Sequence, residues 1–231
     1  MPTGIRLRIA AAATLAEALA RSIGPHALPI HIDEGRDYLW QLADQAGGPL
    51  ILLIATNLPE VAALPLAERV AGTLPSVRIV MLTRSPSALQ ARLAALYGAF
   101  GAVAQVGGLS VLHTALRAAA EGVPWFFGAP IPGGALDSSL KPTSRELDVL
   151  AALTSLATRK AAAAATGVGI DTFDKHLASL RKKLGVSDFA QLQRLAPEIG
   201  LVAGLATGLA RTSSTADSPS LRARMAASLL E

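Results

Sequence analysis

The chain has 231 residues, 51% of them apolar, which is enough for one large packed core or two small ones. It contains no cysteine, which excludes disulfides and thiolate metal sites and is compatible with a reducing cytoplasm. Charge is unevenly spread: residues 1–139 carry nine bases and nine acids, residues 140–186 carry eight and four, and residues 187–231 carry four of each, so the whole net +4 sits in one short stretch.

From the start, strand-like and helix-like segments alternate. Ile5 to Ala10 reads as a strand, Thr14 to Ser22 as a helix, Leu28 to Ile32 as a strand and Arg36 to Gln45 as a helix. Pro49 to Ala55 is a Leu/Ile run typical of a strand buried on both faces, and Leu66 to Thr73 is helical. Val77 to Leu82 and Gly101 to Gln105 are strands, with helices at Ser87 to Tyr97 and Leu109 to Glu121. Repeated βα units of this kind predict an α/β, flavodoxin-like, doubly wound sheet. Trp125, Phe126 and Phe127 are expected to dock the following Pro- and Gly-rich linker on this core, with a dimer contact or a small-ligand lid as the functional alternative.

After the linker the pattern becomes all-α. Thr143 and Glu146 form a T-x-x-E capping box that starts a helix with Leu147, Leu150 and Leu153 inward. Thr158 to Ala165 is a short alanine-rich helix, Thr166-Gly167-Val168-Gly169 is a break, and Ile170 to Leu184 places Phe173, Leu177, Leu180 and Leu184 on one stripe. The opposite face carries Asp171, Lys175, Ala178, Ser179 and Lys182, and Arg181-Lys182-Lys183 falls in the last turn. A short helix, a glycine turn and a longer helix with a largely basic outer face match the helix-turn-helix plan. The local basic excess is what a phosphate-binding surface requires. Ser187 and Asp188 can cap a further helix, Phe189 to Leu195, and a low-complexity stretch from Arg211 to Ser220 leads to a helical pattern at Leu221 to Leu230.

The stretch Thr143 to Val186 resembles the DNA-binding domain of LuxR-type transcription regulators. The residues that carry the resemblance are Thr143-Ser144-Arg145-Glu146-Leu147-Asp148-Val149-Leu150, Thr158-Arg159-Lys160, Thr172-Phe173, His176-Leu177 and Arg181-Lys182-Lys183-Leu184-Gly185-Val186. It implies double-stranded DNA as partner, with Lys175, Ser179 and Lys182 facing the groove. Thr158, Lys160, Thr172, Arg181 and Lys183 would contact the backbone, and a homodimer would form in part through the helix after Val186. The recognition helix departs from the family at Asp171 and Asp174; Asp171 suits a helix N-terminus. The two acids keep open an alternative, an adaptor or antagonist that acts through protein contacts and does not read DNA.

The first half resembles a receiver domain, the usual partner of that module, at Ile5 to Ala10, Arg78 to Thr83, Gly98 to Ala102 and Ala115 to Gly122. In that family an aspartate after the third strand takes a phosphoryl group beside a Mg²⁺ held by an acidic pair, since a hard dication needs oxygen ligands. Here the acidic pair falls on Ala11 and Ala12, the acceptor on Ala55 and the lysine position on Gln105 or Val106, while Thr83 alone keeps the switch hydroxyl. The pocket therefore reads as degenerate, and control by aspartyl phosphorylation is not expected. Asp33, Glu34 and Asp37 read as a solvated loop edge rather than a displaced metal site. His26, His31 and His113 lack metal-ligand spacing.

The expected organisation is a receiver-like domain over 1–127, a linker over 128–141, the helix-turn-helix domain over 142–198 and an extension over 199–231. No enzyme, metal or cofactor is expected, and the input is open between a protein and a small molecule at the receiver-like domain. No run reaches the ~18 apolar residues a membrane span needs, the nearest being Ile199 to Ala210. Arg6 and Arg8 before an alanine run make only a faint likeness to a signal peptide, because Glu17 follows. A cytoplasmic protein is expected.

Overall fold

The computed structural model describes residues 6–25, 27–30, 49–84, 86–127, 137–156 and 158–203. Its first half is a parallel sheet of β1 (Arg6–Ala10), β2 (Ala27–Pro29), β3 (Leu50–Ala55), β4 (Val77–Thr83), β5 (Gly101–Ala104) and β6 (Trp125–Phe126) in the order β2-β1-β3-β4-β5-β6. Helices α1 (Ala13–Ile23), α2 (Ala63–Thr73), α3 (Ala88–Leu96) and α4 (Gly108–Ala120) cover it. All six residues of β3 are buried, as a central strand with helices on both faces requires. One face packs on α1 and α4 through Leu7, Ile9, Ile51, Leu53, Leu112 and Leu116; the other packs on α2 and α3 through Leu52, Ile54, Leu66, Val70, Leu93 and Tyr97. The helix expected at Arg36 to Gln45 lies outside the described residues.

Two elements of this half depart most from the sequence reading. Helix α2 begins at Ala63, before Pro65 rather than after it, because the first N–H groups of a helix have no intrahelical partner and proline there loses no bond. Trp125 and Phe126 form a sixth strand that the sequence reading did not include, pairing with Gly101 and Ala102 of β5, while residues 128–136 of the linker they were expected to dock lie outside the described residues. The close approach needs Gly101: a Cβ there would lie 2.6 Å from the carbonyl oxygen of Trp125. The adjacent Phe100 ring is capped by the Arg78 guanidinium at 4.1 Å.

The second half is helical: α5 (Ser144–Ser155), α6 (Arg159–Thr166), α7 (Ile170–Leu184) and α8 (Phe189–Glu198). Helix α8 runs past the expected Leu195 because Ala196 and Ile199 continue its buried side. Buried residues of this bundle and of the α2–α3 face of the sheet form one connected apolar cluster. No helix among the described residues is long and apolar enough to cross a membrane. The patterns read at Arg211 to Ser220 and Leu221 to Leu230 lie outside the described residues.

Gly101→Ala should drive Trp125 off β5 and cost about 1–3 kcal/mol, the usual penalty of overpacking, seen as a lower urea midpoint with unchanged slope.

Candidate nucleic-acid interface

Helix α7 has two chemically different sides. Phe173, Leu177, Leu180 and Leu184 are buried, and Ala162 and Ala163 of α6 meet them without bulk, so the two helices pack closely. Asp171, Lys175, Ala178 and Lys182 recur on the outer side, and all four are exposed, as is Thr172. Helix α6 starts on Thr158, whose hydroxyl accepts from the Ala161 N–H at 3.2 Å, and Lys160 in its first turn is exposed. The turn closes on Gly167.

The fate of each basic side chain decides which charges are available. Lys141 pairs with Glu68 at 2.7 Å, and Arg145 donates to the Thr166 carbonyl at 2.7 Å beside Asp148. Arg159 forms an ion pair with Asp174 and lies 4.9 Å from the Phe189 ring. Arg181 donates to the Ser187 carbonyl and lies 5.2 Å from the same ring. Lys183 pairs with Glu146 at 2.7 Å. Among the described residues, Lys160, Lys175 and Lys182 have neither ion pair nor hydrogen bond, and they are exposed. Thus the three unengaged basic charges of this stretch lie on α6 and α7.

Two expected contact residues are placed differently from the sequence reading. Ser179, expected to face a groove, donates its hydroxyl to Glu146 Oε1 at 2.6 Å, and Lys183, expected to meet phosphate, donates to Glu146 Oε2 at 2.7 Å and to the Lys141 carbonyl at 3.0 Å. The cause is Glu146, whose carboxylate also accepts from the Thr143 N–H at 2.7 Å and whose own N–H donates back to Thr143 Oγ1. Burial pushes the Glu146 carboxyl up, but the bonds from Lys183, Ser179 and Thr143 and the Lys183 charge outweigh it and hold the group below the ordinary glutamate value. The capping box alone was readable; the reach of Glu146 to α7 was not.

In the first half, the strand register sets Ala10 beside Ile54, so Ala11 and Ala12 leave β1 next to the buried Ala55 at the end of β3. Ala11 and Ala12 line a cavity of about 200 Å³ with Ala13, Ile30, Leu58, Pro59 and Glu60. Thr83 is buried at the end of β4. Gln105 is not part of that cavity; it lines another of about 150 Å³ with Leu15, Leu19 and Leu109, between α1 and α4. No cluster of three or more metal-ligating side chains occurs among the described residues. His26, His31, Asp33, Glu34 and Asp37 lie outside them.

No family model matches the chain. The transcriptional regulatory protein MctR of Rhizobium johnstonii is 27% identical over 158 residues, covering 67% of this chain and 74% of that protein. Among solved structures, a complex of the two-component response regulator RcsB with DNA aligns at a TM-score of 0.54 and 16% identity, over 83% of this chain and 97% of that one. RcsB from Salmonella enterica serovar Typhimurium, bound to promoter rprA in the presence of phosphomimetic BeF3-, aligns at 0.53 and 17% identity, over 83% and 96%. The likeness establishes the fold, an α/β receiver-type domain followed by a helical domain.

Glu146→Gln should destabilise the protein by about 3 kcal/mol, because it leaves the Lys183 ammonium without its buried counter-charge. Since the folded-state pKa of Glu146 is depressed, the wild-type advantage is fully present above the ordinary value of 4.5 and shrinks as pH falls through the folded value. Urea unfolding of both proteins at neutral and acid pH measures the difference.

Proposed function

We propose that this chain, which carries the receiver-plus-helix-turn-helix layout of LuxR-type response regulators, is a sequence-specific DNA-binding transcription regulator that works without aspartyl phosphorylation. The observation that carries the reading is the set of exposed, unengaged lysines, Lys175 and Lys182 along the outer side of α7 and Lys160 on α6. Lys175 and Lys182 enter the major groove. Thr172, Lys160 and Thr158 take the flanking backbone, while Arg181, expected there too, is held by the Ser187 carbonyl and the Phe189 ring. Ser179 and Lys183 act one step back, holding α7 at its angle through Glu146.

The description of MctR as a transcriptional regulator and of RcsB as a DNA complex supports the same reading. The adaptor alternative drew on Asp171 and Asp174 as groups that phosphate would repel. Asp174 is paired with Arg159, and Asp171 occupies the first turn of α7, where a carboxylate interacts favourably with the helix dipole. Neither acid then argues for the adaptor.

Phosphorylation independence rests on Ala11, Ala12 and Ala55, whose methyl groups offer neither nucleophile nor oxygen ligand. The input is a protein contact or a small molecule at the receiver-like domain. The working form is a cytoplasmic homodimer on a roughly palindromic site, since two-fold protein symmetry is mirrored in paired half-sites.

Lys175→Glu with Lys182→Glu should abolish DNA retention in a gel shift using the promoter fragments this protein enriches from its own genome, with the thermal melt unchanged. Retained binding in that double variant would overturn the assignment of α7. For the wild-type protein, the log-log fall of affinity with salt should have a slope of roughly 0.9 per phosphate neutralised, and a flat response would favour the adaptor. Acetyl phosphate should neither label the protein nor shift its affinity for DNA.

A further inference from the structure

The helical domain has a second contact surface, and the other half of the chain occupies it. Beyond α8, Ile199, Gly200, Leu201 and Val202 are all buried. The Leu64 N–H, in the first turn of α2 where it has no helical partner, donates to the Gly200 carbonyl at 2.9 Å. Gln90 of α3, fully buried, donates its Nε2 to the Ile199 carbonyl at 3.3 Å. Gly200 has φ +79°, and a Cβ there would stand 3.0 Å from Ala63 Cβ and 3.1 Å from the Thr56 carbonyl oxygen. Thr56 directly follows Ala55, the position where a receiver carries its phosphoryl group. A second fastening lies at the linker, where the Lys141 ammonium pairs with Glu68 and stands 4.5 Å from the Tyr97 ring centroid.

Contacts between domains of one chain are ordinarily polar, and relative motion is the default unless the joint is apolar and extensive. Here Ile199, Leu201 and Val202 belong to the same connected apolar cluster as Leu64, Leu66 and Leu93 of the receiver-like half. The lysines on the outer side of α7 stay exposed while this contact is made.

We infer that Ile199–Val202 form a latch, with Lys141 as its second fastening, that fixes the helical domain rigidly on the end of the sheet beside Ala55 and leaves the basic face of α7 free. The joint supports DNA binding by presenting α7 at a fixed angle; it does not block it. That consequence rests on the DNA-binding reading, whereas the latch itself does not.

The absence of native cysteine gives a clean test in the full chain. Nitroxides at Ser110→Cys on α4 and Ala190→Cys on α8, both exposed positions, report the inter-domain distance by double electron–electron resonance. The otherwise unchanged protein should give one narrow distribution. Gly200→Val should broaden it at least about twofold, since a β-branched side chain fits neither the positive φ nor the space. The pair Gln90→Met and Lys141→Met leaves α8 untouched, should broaden the distribution less, and keeps the test open if Gly200→Val fails to fold. In gel shifts the loosened proteins should bind about fivefold more weakly, because orientation must be frozen again on binding, with an unchanged salt slope. A broad distribution before any latch substitution, or one that stays narrow in both variants, overturns the latch. A rise in affinity on loosening overturns its supporting role. Loss of DNA binding on any sequence alongside normal distance changes would strike the DNA-binding reading and leave the latch standing.

Discussion

The carboxylate of Glu146 organises the helical half of the molecule. A buried carboxylate is costly unless every lone pair finds a donor, so its surroundings are constrained from several directions together. One donor is the Thr143 N–H, which fixes where α5 begins; two more, Ser179 and Lys183, come from successive turns of α7 and fix how that helix rotates about its axis. Lys183 also reaches the Lys141 carbonyl, and the Lys141 side chain in turn rests on Glu68 and the Tyr97 ring. Burial, reinforced by the nearby Glu68 and Glu146 carboxylates, raises the Tyr97 phenol far above its ordinary value, so this aromatic stays neutral at the joint. A helix cap, the lysine-bearing helix α7 and a domain boundary thus share one electrostatic network.

The same accounting explains why few charges suffice outside. Most basic side chains of the stretch are tied to acids, carbonyls or the Phe189 ring, and these ties hold α6, α7 and α8 in register. What faces outward is a narrow line of lysines on a rigid cylinder. Lysine carries its charge on a compact, strongly hydrated head, so such a line suits phosphate attraction and adaptable groove contacts more than bidentate reading of a single base. On the proposed DNA-binding reading, sequence discrimination then depends on how firmly α7 is held, which returns the burden to Glu146.

Local signals were legible in the chain and distant ones were not. The Thr143–Glu146 box is written within four consecutive residues, and the stripe of Phe173, Leu177, Leu180 and Leu184 needs only helical periodicity, so both could be read directly. Ser179 and Lys183 lie 33 and 37 residues from Glu146, and on a helical wheel nothing distinguishes a lysine aimed at a buried acid from one aimed at phosphate. Strand β6 is two residues long, too short for any alternation to register; the clue was Gly101, a glycine inside a strand, which marks close approach of another backbone. The helix read from Leu66 starts three residues earlier, at Ala63, since a proline in the first turn is harmless.

Ala11, Ala12 and Ala55 connect the chemistry of one sheet edge to the architecture. Carboxylates gathered at the ends of neighbouring parallel strands repel one another and hold water or a cation, which keeps that edge of a sheet polar and responsive to phosphorylation. Methyl groups at those positions remove both the repulsion and the reason for hydration. The chain immediately after Ala55 instead presents a backbone carbonyl, that of Thr56, against Gly200, and the neighbouring α2 presents a free N–H to the same glycine. On the proposed reading, in which no phosphoryl site has to be kept open, that edge serves as a seat for the helical domain, which would give the missing switch and the closeness of the two halves one physical origin.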